Sequence, residues 1–503
     1  MTTEAMAPSG AAVTPGRSQL FIGGEFIAAA DGGSYEVIEP ATGATLAEAA
    51  SAGSADVEAA VTAARTAYDD GGWSTMPARL RGQVLIRGAE LLREHAEELA
   101  QLESRDCGKP IMFTRMIDVP TMCDTFEYYG SLAAGLEGAA RPLGPETLAY
   151  TRQEPMGVVA AITPFNFPLI LSATKLAPAL AAGNTVIHKP ADETPLTALR
   201  VAELLSEAGV PDGVLNVLTG DGRVGEALVG HAGVDKVAFT GSTAVGRRVA
   251  ALAGQTLKPV TVELGGKSAN IVFDDADIEA AINTAIQAIV FNTGQFCMAG
   301  SRLLIQRGVY DAVLGALDGA LPHVPLGDPA DPSTVIGPMA GPKHLAKVTE
   351  FLEAAAADGI AIGGRAGASP ADAGRAGGQP DGGRGGFYMQ PALLPGVSQD
   401  SQYVQQEIFG PVLTVQPFDT EEQAVALANG TPYALAAGLQ TTNLSRAHRV
   451  AGQLRAGIVW INGWAKLDVS MPFGGSGDSG HGVENGPEGL REYLRTKSVV
   501  VSL

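Results

Sequence analysis

Three residues of this 503-residue chain have the type and setting for acyl chemistry. Cys297 stands in FNTGQFCMAGSR, between Gly294 and Gly300 and among uncharged neighbours. A thiol on such an open backbone can act as a nucleophile, although a lone Cys is more often a small buried hydrophobe. Cys107 and Cys123 keep that second reading. Glu263 ends an apolar run and precedes Gly265-Gly266. A carboxylate leaving a strand into a glycine turn can serve as a general base with a raised pKa, or simply mark a solvated strand end. Asn166 lies between two prolines in PFNFP. Its amide N–H can hold an oxyanion, or its side chain can serve the turn.

Two glycine turns could hold phosphate. Gly220-Asp221-Gly222-Arg223-Val224-Gly225 is a G-x-G-x-x-G that follows a strand and opens a helix, but no clear acidic ribose ligand follows at the expected distance. The next strand ends in Phe239-Thr240-Gly241-Ser242-Thr243-Ala244-Val245-Gly246, a second glycine turn at a helix start. Its free N–H groups and the Ser242 hydroxyl suit a pyrophosphate. Each turn alone could be close packing; two in one sheet point to a dinucleotide.

These residues need rigid elements to place them. The runs 157–163, 185–189, 214–219, 236–240, 260–264 and 269–273 are apolar and β-type, and helical patterns separate most of them. The alternation predicts an α/β fold with a doubly wound parallel sheet, with ligands beyond the carboxyl ends of the strands. Ser54 and Thr194 are expected helix N-caps, with Pro195 in the first turn. Residues 80–102 are expected to form one long helix and 116–135 another. The Ala/Gly/Thr/Pro-rich residues 1–17 read as a mobile, disordered terminus. The Gly/Ala/Asp/Arg-rich stretch 363–387 reads as a surface excursion.

Composition sets the limits. Hydrophobic residues make up 46% and charged residues 17%, which excludes disorder for most of the chain. Length alone gives a prior of about three domains. Thirty-four Lys+Arg against 54 Asp+Glu leave a net charge of −20, a poor match for nucleic acid or an anionic membrane. Three cysteines cannot form a disulfide scaffold, so a reducing cytoplasm is expected. The N-terminus has no secretory signal, and Pro164, Asn166, Pro168, Lys175 and Pro178 interrupt the most apolar run. No metal site is expected.

Taken together, PFNFP (164–168), HKPADETP (188–195), FTGSTAVG (239–246), VELGGKSANIVF (262–273), GQFCMAGSR (294–302), EIFGPV (407–412) and MPFGGSGDSG (471–480) resemble the NAD(P)-dependent aldehyde dehydrogenase superfamily, from about residue 20 to the C-terminus. The resemblance implies Cys297 as nucleophile, Asn166 and the Cys297 N–H as oxyanion donors, Glu263 as the base for thioester hydrolysis and Lys175 on a proton path. It implies NAD contacts at Thr163, Pro164, Phe165, Lys189, Asp192, Phe239, Gly241, Ser242, Val245, Leu264, Glu407 and Phe409. Gly222 and Gly225 then flank the adenine rather than cradle phosphate. Phe165 stands where Trp is commonest, Asp192 where many relatives have Glu, and Val483 where many have Arg. A carboxylate at 192 should repel a 2′-phosphate, which favours NAD over NADP.

The resemblance also implies a substrate tunnel lined by Phe167, Ile170, Thr174, Phe296, Met298, Trp464, Leu467 and Phe473, near the helix around Tyr129. These side chains suit an apolar or aromatic aldehyde. No Arg is among them to grip a semialdehyde acid, although Lys466 keeps that alternative open. A CoA-acylating relative would usually lack Glu263. A cysteine-dependent esterase would need a His base, for which His188 and His481 are the nearest. The implied anatomy is an NAD-binding domain (18–141 and 157–264), a catalytic domain (265–462) and a bridging element (142–156 and 485–503). The last would pair copies into a homodimer or homotetramer.

Overall fold

The computed structural model describes residues 19–365 and 385–503. The expected mobile terminus (1–17) and most of the 363–387 excursion lie outside the described residues.

Five strands, Leu215–Val217, Thr185–Lys189, Val158–Ile162, Lys236–Thr240 and Val260–Glu263, run parallel in that spatial order. Thr185–Lys189, Val158–Ile162 and Lys236–Thr240 are buried throughout, and their β-branched and small residues suit a sheet covered on both faces. The chain steps outward from Val158–Ile162 on one side, then returns and steps outward on the other. Between Val158–Ile162 and Lys236–Thr240 the winding therefore reverses, which opens a crevice at their carboxyl ends. An antiparallel hairpin, Leu20–Ile22 with Glu25–Ile27, extends one edge. Gly480–His481 adds antiparallel to the other, opposite Val262 and Glu263.

A second sheet has six parallel strands in the order Ala392–Pro395, Val412–Phe418, Arg302–Gln306, Ala269–Val272, Ala436–Gln440 and Ile458–Ile461. A third, antiparallel sheet joins Ala140–Pro142, Thr147–Pro155 and Leu494–Ser502.

Several expectations need correction. Residues 80–102 are not one helix: Ala78–Glu94 and Ala96–Cys107 meet at His95, whose ψ of 17° breaks the run. The 116–135 helix begins earlier, as Ile111–Phe113, a π-turn at Thr114–Asp118, then Val119–Ala133. Gly53, not Ser54, occupies the cap of Ser54–Asp69, and its N–H donates to Asp56. Thr194 does not cap Leu196–Glu207; the Leu196 N–H donates instead to buried Asp106 at 2.9 Å. Within 485–503, Gly486–Arg491 is a helix, and Leu490 and Tyr493 belong to the core around Pro168–Ala182. From Arg495 onward the strand leaves that core.

Candidate active site

The loop carrying Cys297 follows the helix Ile278–Val290 and is bent by three consecutive left-handed residues, Asn292 (φ 48°), Thr293 (φ 56°) and Gly294 (φ 69°). Such backbone is costly for Thr and must be held. Asn292 donates its side-chain amide to Asn166 O (2.8 Å) and Gln295 O (3.2 Å), and Thr293 donates its hydroxyl to Gly337 O at 2.9 Å. The Gln295 Oε1 accepts from Ala340 N at 3.0 Å. At Gly294 a Cβ would lie 2.3 Å from Gly410 O, so only glycine fits. The Asn166 amide spends one N–H on Gln295 O at 3.0 Å, which leaves the other free. The Cys297 N–H has no backbone acceptor. Burial, then the carboxylates of Glu407 and Glu263, push the Cys297 thiol well above its usual range.

Glu263 ends its strand with both carboxylate oxygens buried and unpartnered. Burial, followed by repulsion from Glu484, raises its pKa far above normal, a protonation-ready state suited to a base in a dry site. Lys175 is fully buried on Pro168–Ala182. Its ammonium donates to Thr240 Oγ1 at 2.7 Å and pairs with the Glu484 carboxylate.

The dinucleotide candidates line the crevice of the first sheet. Pro164, Phe165, Gly241, Ser242, Leu264, Glu407 and Phe409 share a cavity wall with Cys297. The Phe165 and Phe409 rings meet edge to face at 5.8 Å, and Phe409 holds a left-handed φ of 63°. Glu407 accepts from Gly266 N at 3.0 Å; a Cβ on Gly265 would lie 2.3 Å from its other oxygen. Ser242 caps Thr243–Gly254 by accepting from Val245 N. Phe239 is buried within its strand, and Gly241 N donates to Glu263 O at 3.0 Å.

Thr163, Lys189, Asp192, Gly222, Gly225, Phe239 and Val245 lie off this cavity wall. The Thr163 hydroxyl turns away toward His188 Nε2 (3.0 Å). Lys189 is depressed by burial and surrounded by Asp192, Glu193 and Asp221. Gly222 and Gly225 belong to Gly222–Gly230, whose start is capped by Asp221 accepting from Arg223 N at 2.9 Å. The G-x-G-x-x-G is thus a helix start capped by its own Asp.

The shared cavity measures about 840 Å³. All eight expected tunnel residues line it: Phe167, Ile170, Thr174 and Phe296, then Met298, Trp464, Leu467 and Phe473. The Trp464 indole is wedged where Cβ atoms on Gly438 and Gly300 would lie 2.6 Å and 3.2 Å from it, and its N–H donates to Met298 O. Tyr129 is not on the wall: it is buried, and its hydroxyl donates to Gly486 O at 3.1 Å. The same helical region reaches the cavity instead through Phe113, Ile117, Thr121 and Thr125. Lys466 is exposed and lies off the wall, whereas the acid Asp468 lies on it.

Sequence reasoning missed Glu484, His344 and Lys347, which also line the cavity. Glu484 lies in GHGVENG, a lone carboxylate in a glycine turn, the signal that singled out Glu263. His344 stacks on Phe165 with ring centroids 4.0 Å apart and pairs with Glu193 at 3.4 Å. Burial alone would raise Glu193, but His344 and a backbone N–H hold it down at about 2. No local pattern marked His344, which comes from Pro342–Ala357, far along the chain.

The model of the aldehyde dehydrogenase family matches residues 26–499. Among solved structures, the chain is similar to an indole-3-acetaldehyde dehydrogenase of P. syringae bound to NAD+ and IAA, at 42% identity and TM-score 0.92. It is similar at the same identity and TM-score to the aldehyde dehydrogenase KauB from Pseudomonas aeruginosa. A betaine aldehyde dehydrogenase from Staphylococcus aureus, bound to NAD+, is 35% identical with TM-score 0.93. Each of these alignments covers 97% of both chains.

Proposed function

The chain belongs to the aldehyde dehydrogenase family, and from that premise we propose that it oxidises an apolar or aromatic aldehyde to the carboxylic acid through a thioester on Cys297. The observation that carries this reading is the convergence of Cys297 and the Asn166 amide on one cavity walled by Phe167, Phe296, Trp464 and Phe473, with Glu263 buried beside it.

The cofactor is NAD, as in the related structures solved with NAD+. The crevice fits it: Gly265 leaves room that any Cβ would fill against Glu407, and the Thr243–Gly254 helix start offers N–H groups to a pyrophosphate. Glu407 and Lys189 would hold the two riboses. Asp192, with Glu193 beside it, would set negative charge near the adenosine ribose, where a 2′-phosphate would add more, which favours NAD over NADP. When bound, NAD supplies the hydride acceptor that converts the hemithioacetal into the thioester.

The protein's residues do the rest. The Cys297 thiol, half-buried on the cavity wall, must lose its proton to attack, and Glu263, dry and unpartnered, takes it. The free Asn166 N–H and the Cys297 N–H hold the oxyanion of the tetrahedral adduct. Glu263 passes that proton on through Lys175 with Glu484, and, ionised again, draws a proton from the water that cleaves the thioester.

Leu494–Ser502 is the edge of its sheet and exposes Val500 and Val501, which favours pairing with a second copy as a homodimer or homotetramer. No helix among the described residues is long and apolar enough to cross a membrane, in keeping with a cytoplasmic enzyme.

NADH absorbance with a panel of aliphatic, aromatic and acidic aldehydes tests the reading. Aromatic and apolar aldehydes should be oxidised best, and Cys297→Ala should abolish NADH formation. Silence toward every aldehyde, or a requirement for CoA, would overturn it.

A further inference from the structure

A charged cluster that the mechanism does not use lies behind the substrate cavity. Gly108 (φ 79°) ends Ala96–Cys107 and turns the chain so that Lys109 points inward. The Lys109 side chain is 1% exposed, and its backbone carbonyl accepts from the Ser104 hydroxyl at 2.6 Å. Its ammonium lies 2.9 Å and 3.0 Å from the two Asp118 oxygens and 3.8 Å from the centroid of the Phe167 ring. Asp118 reaches it from the π-turn, a widened helical turn that lets Phe113 and Ile117 face the cavity while Asp118 faces away.

Burial opposes the Lys109 charge, but Asp118, with Cys107 and Glu103 adding to it, outweighs burial and the ammonium stays protonated. Glu103, beside them, is pushed up by burial to about 8; it accepts from Leu169 N and from the Thr197 hydroxyl. The cluster is therefore one ion pair beside a carboxyl that is neutral at pH 7, and the Phe167 π face is the ammonium's contact on the side of the cavity. A desolvated ammonium over an aromatic face is a strong, directional contact.

Phe167 is where this matters. It follows the oxyanion donor Asn166, lines the cavity, and packs edgewise on Phe296 at 6.5 Å, next to Cys297. Resting on the function proposed above, we propose that Lys109 is a positioning residue: its ammonium, anchored by Asp118, clamps the Phe167 ring flat so that the cavity stays open to bulky aldehydes. Without the cation the ring is free to turn into the space a bulky substrate needs, whereas a two-carbon aldehyde still fits.

The test compares bulky with small reagents in two assays. One is the rate of Cys297 alkylation by phenacyl bromide relative to iodoacetamide, read by mass spectrometry, which needs no dehydrogenase activity. The other is kcat/KM for phenylacetaldehyde relative to acetaldehyde. Lys109→Met with Asp118→Asn removes both charges and leaves no lone buried ion; both ratios should fall about tenfold, mainly through KM. Lys109→Arg keeps a cation over the ring and should hold both ratios near wild type. Phe167→Leu, at a half-buried site, removes the ring that would otherwise swing in and should leave the alkylation ratio at or above wild type, which keeps the test alive if the double variant does not fold. Unchanged ratios in the double variant, a lowered alkylation ratio in Phe167→Leu, or an equal loss in Lys109→Arg, would overturn the clamp. If the alkylation ratios move as expected while no aldehyde yields NADH, the clamp stands and the proposed activity falls.

Discussion

Asn292 donates its side-chain amide to the backbone carbonyl of Asn166 across 2.8 Å, joining the loop of the nucleophile to the loop of the oxyanion donor. The two loops come from different sheets, so this bond sets the spacing of two reacting groups that no single element fixes. Asn292→Gly keeps the left-handed backbone and deletes the donor. It should lower kcat by about 100-fold, the scale of a 1 Å misplacement, with KM nearly unchanged. A steady-state comparison in which KM rises and kcat holds would show that the bond serves binding instead.

Glu263→Gln removes the base but keeps the shape. Steady turnover should fall by about 100-fold or more, because the thioester then waits for unassisted water. A stopped-flow trace should still show the first turnover as a burst of NADH if Cys297 can lose its proton by another route. Loss of the burst together with steady turnover would place Glu263 in thiol activation as well as hydrolysis.

Much of this site was legible in the sequence because its chemistry sits at strand ends. Glu263, Asn166 and the Gly241-Ser242 turn all leave carboxyl ends of predicted strands, where periodicity and glycine already mark a junction. His344 was not legible in the same way, and Glu484 offered only its glycine turn, with no strand before it to mark a junction. Each is brought in from a distant segment by tertiary packing alone: Glu484 by its pairing with Lys175, 309 residues earlier, and His344 by its stack on Phe165. The helix boundaries at 80–102 failed for a related reason. Apolar spacing continues through His95, and only the backbone shows the break. At Thr194 the local cap residue lost to Asp106, a partner 90 residues away that local pattern cannot see.

The Lys175–Glu484 pair is buried, with side chains 0% and 5% exposed. Removing either partner strands a charge, so Lys175→Met or Glu484→Gln should each destabilise the fold by about 3–5 kcal/mol. Lys175→Met combined with Glu484→Leu should recover most of that loss, yet remain slow in turnover. Full recovery of turnover in the pair would remove both residues from the proton path.

Asp192 and Glu193 should act together on the cofactor. Burial and Glu193 raise Asp192, whereas His344 keeps Glu193 ionised, so one firm negative charge stands beside Lys189. Asp192→Ser with Glu193→Gln should narrow the preference for NAD over NADP by about tenfold, the effect of roughly 1.4 kcal/mol. Calorimetric titration with both nucleotides checks this. A preference that does not move would mean that neither carboxylate faces the 2′ position.

His188 gives a pH dependence whose sign is fixed by burial. Its ring is fully enclosed between Thr163 and Ser172, and burial, then the Lys175 and Lys189 charges, lower its pKa to about 3. An unfolded chain would bind a proton there near the ordinary value of about 6.5. Between these values the unfolded state holds the extra proton, so stability rises with pH and is lost as pH falls below about 6.5, by up to about 1.4 kcal/mol per pH unit. Between pH 7 and 5 this contribution opposes that of Glu103, whose raised pKa favours the folded state on acidification, so the His188 part is read as a difference between two proteins. His188→Met, which cannot take a proton, should lose less melting temperature, or gain more, on acidification than the wild type. Calorimetric scans giving the same pH slope for both proteins would show that another group carries it.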